Sequence, residues 1–277
     1  MNNVTLYIPS AGRAQWQHTY RRLPKAWRAH TVIVVPKGEA AAYRERVKRA
    51  EVVECPVRGI GKTRQWIIDE NESKYIMMLD DDMYFYTREE HGSIKLRTCE
   101  FSDVEVMLNW LMRCMQREGY IHGGVGKRTE ASFYLCSYRE VARINNFHFL
   151  RGREIARLKK HGIRFDVLPL MEDFHFTLSL FEMGYPNLLT LDYVWNQPGS
   201  NTQGGCSTYR TPEMQAKASH MLHDLHPDVV KVVEKKTRSA SDWEGMKVRT
   251  DVIIQWRQAY SGEHRPHWIA ERASVRK

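Results

Sequence analysis

The sequence predicts an α/β fold with a mainly parallel sheet, and three observations support that fold class. Short apolar runs alternate with helix-forming segments through the first 80 residues. The connections between them are short, as in β-α-β units, which build parallel sheets with right-handed crossovers. A chain of 277 residues that is 42% hydrophobic can bury a sizeable core. Its length fits one large α/β domain or two small ones.

The N-terminal third contains four predicted strands, at residues 4–9, 31–36, 51–57 and 75–79. Helices are predicted between them at residues 14–28 and 39–50, and again after the turn at Gly59. This alternation predicts that the first four strands lie parallel to one another.

The middle of the chain carries two capping boxes, the pattern in which residues at a helix start bond each other's backbone. They lie at residues 102–105 and 137–140, and each predicts the start of a helix. Between them, residues 120–128 are rich in glycine and residues 132–137 form a predicted strand. The glycines either let the backbone approach a ligand closely or form a plain hairpin.

The last part of the chain has one clear helix, one strand and a long extension. Residues 172–183 form the predicted helix and residues 186–197 the strand. A polar loop at 198–210, suited to closing over a phosphate, leads to a helix that starts at Pro212. We expect residues 229–277 to form a helical, basic extension whose last ~12 residues are mobile.

Composition excludes some classes of protein. No run of about 18 apolar residues exists, so no membrane span is expected. The N-terminus lacks a signal-peptide pattern, and the five cysteines include no CxxC pair, which favours reduced thiols in the cytoplasm. The net charge of +9 implies an anionic partner, which can be a nucleic acid, a nucleotide or a membrane surface.

Three consecutive carboxylates, Asp80, Asp81 and Asp82, follow the fully apolar run at 75–79. Because alternate residues of an extended chain face the same way, Asp80 and Asp82 are expected to converge while Asp81 points elsewhere. Two such carboxylates suit Mg²⁺ or Mn²⁺, which keeps positions open for water and phosphates. The plainer interpretation is an acidic turn after a strand.

Other candidate residues lie further along the chain. Glu172 and Asp173 open a predicted helix, where one acid can cap the helix while the other faces a cleft. His226 is a candidate third metal ligand, although a core or solvent-facing histidine is commoner. Lys62 and Arg64 lie in a GKT segment that lacks the first glycine of a phosphate-binding P-loop, yet they can still meet a diphosphate at a helix start.

Taken together, these motifs resemble a known family. IPSAGR after the first strand, LDDDMYF after the fourth and MED at a later helix are similar to GT-A nucleotide-sugar-dependent glycosyltransferases. With GIGKTRQWI, MEDFHFTLSLFEMG and GGCSTYRT, the chain resembles the phage glycosyltransferases associated with Tet-type methylcytosine dioxygenases, over about residues 4 to 228. That resemblance implies a GT-A-like, Rossmann-type mixed sheet in a single domain at 1–228, followed by the extension at 229–277.

The resemblance also implies roles for particular residues. The donor, a UDP-sugar, would contact residues contributed by several segments: Pro9, Ser10, Gly12, Arg13, Lys62, Arg64, Asp81, Gly123, Gly124 and Arg210. Asp80, Asp82 and His226 would hold Mn²⁺ or Mg²⁺. Asp173, or failing it Glu172, would be the general base.

The implied acceptor is 5-hydroxymethylcytosine in phage DNA, acted on in the host cytoplasm. A stacked base cannot reach such a cleft, so it must be flipped out or single-stranded. Two other classes fit the same residues. One is a GT-A enzyme that acts on a glycan, lipid or protein, and the other is a metal-dependent nuclease or DNA-binding module.

Overall fold

The structure is a computed structural model, and it describes residues 3–71, 73–90, 92–198, 210–236 and 247–261. Its strands are β1 (Val4–Pro9), β2 (Thr31–Pro36), β3 (Glu51–Cys55), β4 (Tyr75–Leu79), β5 (Tyr84–Arg88), β6 (Leu96–Thr98), β7 (His122–Lys127), β8 (Tyr138–Glu140), β9 (Phe147–Arg151), β10 (Asn187–Asn196), β11 (Val230–Lys236) and β12 (Val248–Ile254). Its helices are α1 (His18–Arg22), α2 (Lys25–Arg28), α3 (Ala40–Arg46), α4 (Ile60–Glu70), α5 (Phe101–Arg117), α6 (Arg128–Ala131), α7 (Gly152–Leu158), α8 (Glu172–Glu182) and α9 (Pro212–Leu225), with a 3₁₀ turn at Lys159–His161.

One large mixed sheet organises the molecule, in the order β3-β2-β1-β4-β9-β7-β10-β5-β6, with β8 paired to β10. The first four strands are parallel, as predicted. Strand β9 then lies antiparallel between β4 and β7, while β7 and β10 run parallel. The predicted mixed α/β fold in a single domain is therefore confirmed.

Strand β4 lies in the interior of the molecule, and every one of its side chains is buried. Tyr75, Met77 and Leu79 pack on one face of the sheet with α5, and Ile76 and Met78 pack on the other with α4 and α8. A strand covered on both faces reads as an unbroken apolar run. This packing fixes where the chain emerges after Leu79 and presents the three aspartates.

Several local predictions were wrong because pairing across the sheet overrides local patterns. Residues 132–137 form no strand, and the predicted helix start at 137–140 is instead β8, which pairs with β10. Helix α5 begins at Phe101 after Glu100, which forms the capping box with Asp103 in place of the predicted box at 102–105. The glycine-rich segment does not form the plain hairpin that was one interpretation, and residues 122–127 are β7, inside the large sheet.

The C-terminal extension also differs from the prediction. In its described part, β11 and β12 form an antiparallel two-stranded sheet instead of helices. Val230 and Val252 of that sheet join an apolar cluster with Leu222 of α9 and Phe181 of α8. The last ~12 residues, predicted to be mobile, and most of the predicted phosphate-closing loop at 198–210 lie outside the described residues. Within the described chain, no helix is both long enough and apolar enough to cross a bilayer.

Candidate active site

The candidate site lies where the parallel strands β1 and β4 end, since ligands of open α/β sheets bind beyond the carboxyl ends of strands. Strand β4 stops at Leu79, and the aspartates follow in a turn. Thr19 secures that turn: its backbone N–H donates to the Asp81 carbonyl at 3.0 Å, and its hydroxyl accepts from the Met83 N–H at 2.9 Å. The triplet is therefore held by the segment that follows β1.

Arg13 neutralises two of the aspartates. One guanidinium nitrogen, Nη1, lies 2.9 Å from Asp81 Oδ1 and 2.9 Å from Asp82 Oδ2. Asp81 also accepts from the Ser10 hydroxyl, which in turn contacts the Tyr43 hydroxyl at 2.8 Å. The expected alternation along an extended chain is not observed, because a turn lets adjacent Asp81 and Asp82 share one cation.

Arg64 serves the third aspartate. Its Nη2 lies 2.7 Å from Asp80 Oδ1, and its Nη1 lies 2.7 Å from Glu172 Oε1. The guanidinium is buried because α4 packs tightly here: a Cβ on Gly61 would come within 2.5 Å of the Phe165 carbonyl oxygen. Arg64 therefore joins the turn after β4 to the start of α8.

The second oxygen of Asp80 is held by a residue that the sequence analysis missed. Asn146 donates its side-chain amide to Asp80 Oδ2 at 2.6 Å and to Gln197 Oε1 at 2.6 Å. Its backbone has a positive φ of 23°, which is uncommon outside glycine and often marks a functional turn. No local pattern identifies Asn146, because its role depends on the antiparallel placement of the adjacent strand β9.

The two acids at the start of α8 have different partners. Met171, at φ 61°, turns the chain immediately before the helix, and both acids are buried. Glu172 is engaged by Arg64, whereas Asp173 Oδ2 lies 3.9 Å from Arg143 Nη2. Asp173 therefore has the longer ion pair of the two acids, and backbone N–H groups at the start of the helix also bond its carboxylate. Arg143 is a second residue that the sequence analysis missed.

Burial dominates the electrostatics of these carboxylates. It raises the pKa of Asp82 to about 7, and the charges of Asp80 and Asp81 add to the shift. Burial likewise raises the pKa of Asp81, Glu172 and Asp173, and nearby arginines offset part of each shift. Removing closely spaced carboxylates from water disfavours their charged forms. The cluster is thus suited to binding a cation or a proton.

The carboxylates of the aspartate triplet are suitable ligands for a divalent cation, but few of them are accessible. Asp80 and Asp82 are the more accessible members of the triplet, with side chains 27% and 14% exposed. Among the described residues, no three His, Cys, Asp or Glu side chains form a metal-binding group. Two carboxylates completed by water and phosphate oxygens match the coordination that Mg²⁺ commonly has in proteins.

His226 does not lie with the aspartates in this structure. Its two ring nitrogens contact His175 Nδ1 at 2.9 Å and Glu182 Oε1 at 2.7 Å, and the ring is buried. Asp80, Asp82 and His226 therefore do not form the three-ligand set expected from the sequence.

The remaining predicted site residues are only partly brought together. Pro9 is the last residue of β1 and immediately precedes Ser10, while the Gly12 N–H donates to Glu39 at 2.8 Å. Lys62 is exposed on α4. Arg210 donates to Gln215 at 2.6 Å at the start of α9.

Gly123 and Gly124 are accounted for by packing. A Cβ on Gly124 would meet the Phe147 carbonyl oxygen at 2.6 Å, and one on Gly123 would meet Met115 Sδ at 3.2 Å. Both glycines thus allow β7 to pack closely against its neighbours. Packing alone therefore explains them, without contact to the nucleotide sugar.

Comparisons with known proteins agree with this architecture. A model of the family described as TET-Associated Glycosyltransferase matches residues 4–205. The Beta-glucosyl-HMC-alpha-glucosyl-transferase of Enterobacteria phage T6 is 24% identical over 262 residues, covering 88% of this chain and 90% of that protein. The protein of the same name from Enterobacteria phage T2 is 25% identical over 262 residues, with the same coverage.

Solved structures show the same fold. The S. aureus TarS 1-349 structure in complex with UDP-GlcNAc has a TM-score of 0.53 and 13% sequence identity. The match covers 80% of this chain, which spans 66% of that TarS chain. The fold is thus that of a GT-A-like glycosyltransferase. The chain belongs to the TET-associated glycosyltransferase family, as its motifs predicted.

Proposed function

We propose that this glycosyltransferase moves a sugar from a nucleotide sugar, a UDP-sugar, to the hydroxyl of 5-hydroxymethylcytosine in DNA. The observation that carries the proposal is the similarity over 88% of the chain to two phage enzymes whose names specify HMC. The net charge of +9 supports a polyanionic acceptor. If a phage encodes this enzyme, as phages encode its two relatives, its place of action is the host cytoplasm.

The residues after β1 and β4 form the proposed donor site. Ser10, Gly12 and Arg13 border the nucleotide, and Asp81 orients Arg13 and Ser10 through the contacts described above. Asp80 and Asp82 would hold Mn²⁺ or Mg²⁺, which would supply Lewis-acid stabilisation of the leaving diphosphate.

Arg13 and Arg64 contact oxygens of Asp82 and Asp80, the carboxylates that would hold the metal. A bound metal would compete with both arginines for those oxygens. Guanidinium groups released in this way would be available to a diphosphate, because an arginine can bind phosphate oxygens in a bidentate manner. The same arginines would therefore compensate the carboxylates before binding and the phosphates after it.

Asp173 is the proposed general base. It is buried, and burial raises its pKa. Its ion pair with Arg143 is long, and the backbone N–H groups of Asp173 and Phe174 also bond its carboxylate. A raised pKa brings a base closer to the working pH, where proton transfer is most effective. Glu172, already bonded to Arg64, supports the site.

A second acceptor is favoured by one observation, the name of the phage relatives. Beta-glucosyl-HMC-alpha-glucosyl-transferase describes an enzyme that adds to a base already carrying glucose. The acceptor hydroxyl here is then either that of 5-hydroxymethylcytosine or one on its sugar.

The test is to incubate the purified protein with a panel of nucleotide sugars and three matched DNAs, then to identify the nucleosides by mass spectrometry. The DNAs contain cytosine, 5-hydroxymethylcytosine or β-glucosyl-5-hydroxymethylcytosine. We expect a sugar on 5-hydroxymethylcytosine and none on cytosine, which lacks the hydroxyl. Labelling of only the glucosylated DNA would establish the second acceptor. Labelling of none would exclude both and favour a glycan, lipid or protein acceptor.

A further inference from the structure

A cavity of about 570 Å³ lies on the side of the molecule where β8 and the C-terminal sheet approach each other. We call it the arginine cavity, and its principal lining residues are Glu130, Tyr134, Arg139, Arg143, Trp256 and Arg257. The first four come from the segment around β8, and the last two come from the turn after β12. Two parts of the chain far apart in sequence therefore form one recess.

The arginine cavity adjoins the candidate base. Arg143 lines it and lies 3.9 Å from the Asp173 carboxylate. The Arg143 guanidinium also stacks over the Phe174 ring at 4.2 Å, and Phe174 contacts Trp256 edge to face at 5.7 Å. A molecule in the cavity would therefore sit beside Asp173.

The lining carries surplus positive charge. Among the side chains named above, three are arginines and one, Glu130, is acidic. Arg139 stacks on Tyr134 at 4.1 Å, and neither Arg139 nor Arg257 forms an ion pair with another residue in the described ranges. Arg257 is exposed, and so is Arg143, whose side chain is 43% accessible. Unlike Arg13 and Arg64, these side chains are available to an external anion.

The turn after β12, which supplies one wall of the cavity, is hydrogen-bonded to the rest of the fold. The Gln255 N–H donates to the Val229 carbonyl at 2.9 Å, and the Ser261 N–H donates to the Phe181 carbonyl at 3.2 Å. Trp256 packs edge to face on Phe181 at 6.3 Å. Because the family match ends at residue 205, this wall of the cavity comes from the part of the chain outside that match.

The opposite wall has two features typical of interaction sites. Val141 has φ 51°, an outlier for a β-branched residue, and it lies between the two arginines of that wall. In the loop beside this wall, Phe133, Tyr134 and Leu135 are exposed in succession, by 82%, 40% and 57%, and, of these three, Tyr134 lines the cavity. Adjacent exposed apolar side chains mark a surface that contacts a partner.

We propose that the arginine cavity is the acceptor site, where Arg139, Arg143 and Arg257 bind backbone phosphates while Tyr134 and Trp256 contact an unstacked base. This inference rests on the proposed function and assigns a location to its DNA. Arginines beside aromatic rings are the combination with which proteins bind single-stranded or flipped nucleotides. An acidic peptide would use the charges but has less need of the rings.

The test compares Arg139→Glu/Arg257→Glu and Arg257→Glu with wild type and with Arg46→Glu, which is the control for a single charge reversal and lies on α3 at the β3 edge of the sheet. Binding of a 5-hydroxymethylcytosine oligonucleotide is measured by fluorescence anisotropy over a range of salt concentrations. The double variant should bind about tenfold more weakly, and its slope of log K against log salt should fall by about 1.5. UDP binding and the melting temperature should match wild type, and Arg46→Glu should match it in every measurement.

The outcomes distinguish failure of the cavity assignment from failure of the proposed function. If wild type modifies the DNA but the double variant binds it with unchanged affinity and slope, the cavity assignment is wrong and the proposed function stands. If wild type neither binds nor modifies the DNA, the proposed function fails. Should the double variant unfold, Arg257→Glu alone decides, since Arg257 is exposed in a turn; it should weaken binding severalfold and lower the slope by about 1. Unchanged binding in that variant overturns the assignment.

Discussion

The arginines of two regions use their charge in different ways. In the proposed donor site, Arg13 and Arg64 are largely buried and each contacts two carboxylates. In the arginine cavity, Arg139 and Arg257 form no close ion pair within the described part of the chain, and Glu130 interacts with Arg139 only at longer range. Both arginines of the donor site are therefore engaged by carboxylates, whereas the cavity presents more arginines than acids to a partner. A net charge alone does not make this distinction.

The largest expected effect comes from removing a carboxylate of the donor site. Asp82→Asn should lower sugar transfer about a thousandfold or more, since a Lewis-acid metal is worth several kcal/mol in the transition state. Excess chelator should do the same to wild type, and added Mn²⁺ should restore it. Asp224→Asn, an exposed acid on α9, is the matched control. Full activity of the variant or of the chelated enzyme would rule out the metal assignment.

The second prediction separates the two acids at the start of α8. Asp173→Asn should reduce the transfer rate about 10²–10⁴-fold, as loss of a general base does, while UDP binding stays unchanged. Glu172→Gln should retain measurable transfer, because Glu172 bonds Arg64 and supports the site. Rapid-quench measurement of a single turnover distinguishes the two. The reverse ranking would exchange their roles, and no effect from either would exclude a carboxylate base here.

A third prediction tests the contrast between the two kinds of arginine. Arg64→Met removes the shared partner of Asp80 and Glu172, and breaking a buried ion pair typically costs about 3–5 kcal/mol of unfolding free energy. Arg257→Gln should change it by less than about 0.5 kcal/mol, as surface substitutions do. Denaturant unfolding of both proteins measures these values. Equal effects would show that the two regions do not differ as described.

The smallest effect concerns pH and stability in metal-free protein. Because the pKa of Asp82 is raised to about 7 in the folded state, folding favours its protonated form. Its stabilising contribution is therefore present below its ordinary pKa and is lost as pH rises towards 7. Asp82→Asn lacks that loss, so it should exceed wild type in stability at pH 8 but not at pH 4. The expected gain is on the order of 1 kcal/mol, or about 2–4 °C in Tm. A constant difference across pH would contradict the assigned shift.

The sequence was informative where local pattern and fold agree. The apolar run at Tyr75–Leu79 became a central strand, and the parallel direction of β1 to β4 followed from short alternating segments. Glu172 and Asp173 did begin a helix, which local composition predicts. Each of these features depends on contacts or periodicity within a few residues.

Features that depend on distant partners could not be predicted. Residues 137–140 read as a helix start but pair with β10, and the charged C-terminal segment pairs with itself as β11 and β12. The contacts of Arg64 with Glu172 and of Asn146 with Asp80 join residues 108 and 66 positions apart. His226 was assigned to the metal from its residue type and from the family resemblance, and tertiary packing places it with His175 and Glu182 instead.

The rate at which UDP is released from the UDP-sugar, with and without 5-hydroxymethylcytosine DNA, tests the division between the donor site and the arginine cavity most directly. Wild type should release UDP slowly by hydrolysis and much faster when the DNA is added. Asp82→Asn should lose both rates, whereas Arg139→Glu/Arg257→Glu should keep the slow rate and lose most of the stimulation by DNA. If the double variant is stimulated as strongly as wild type, or if Asp82→Asn is, the separation into a donor site and an acceptor cavity is wrong.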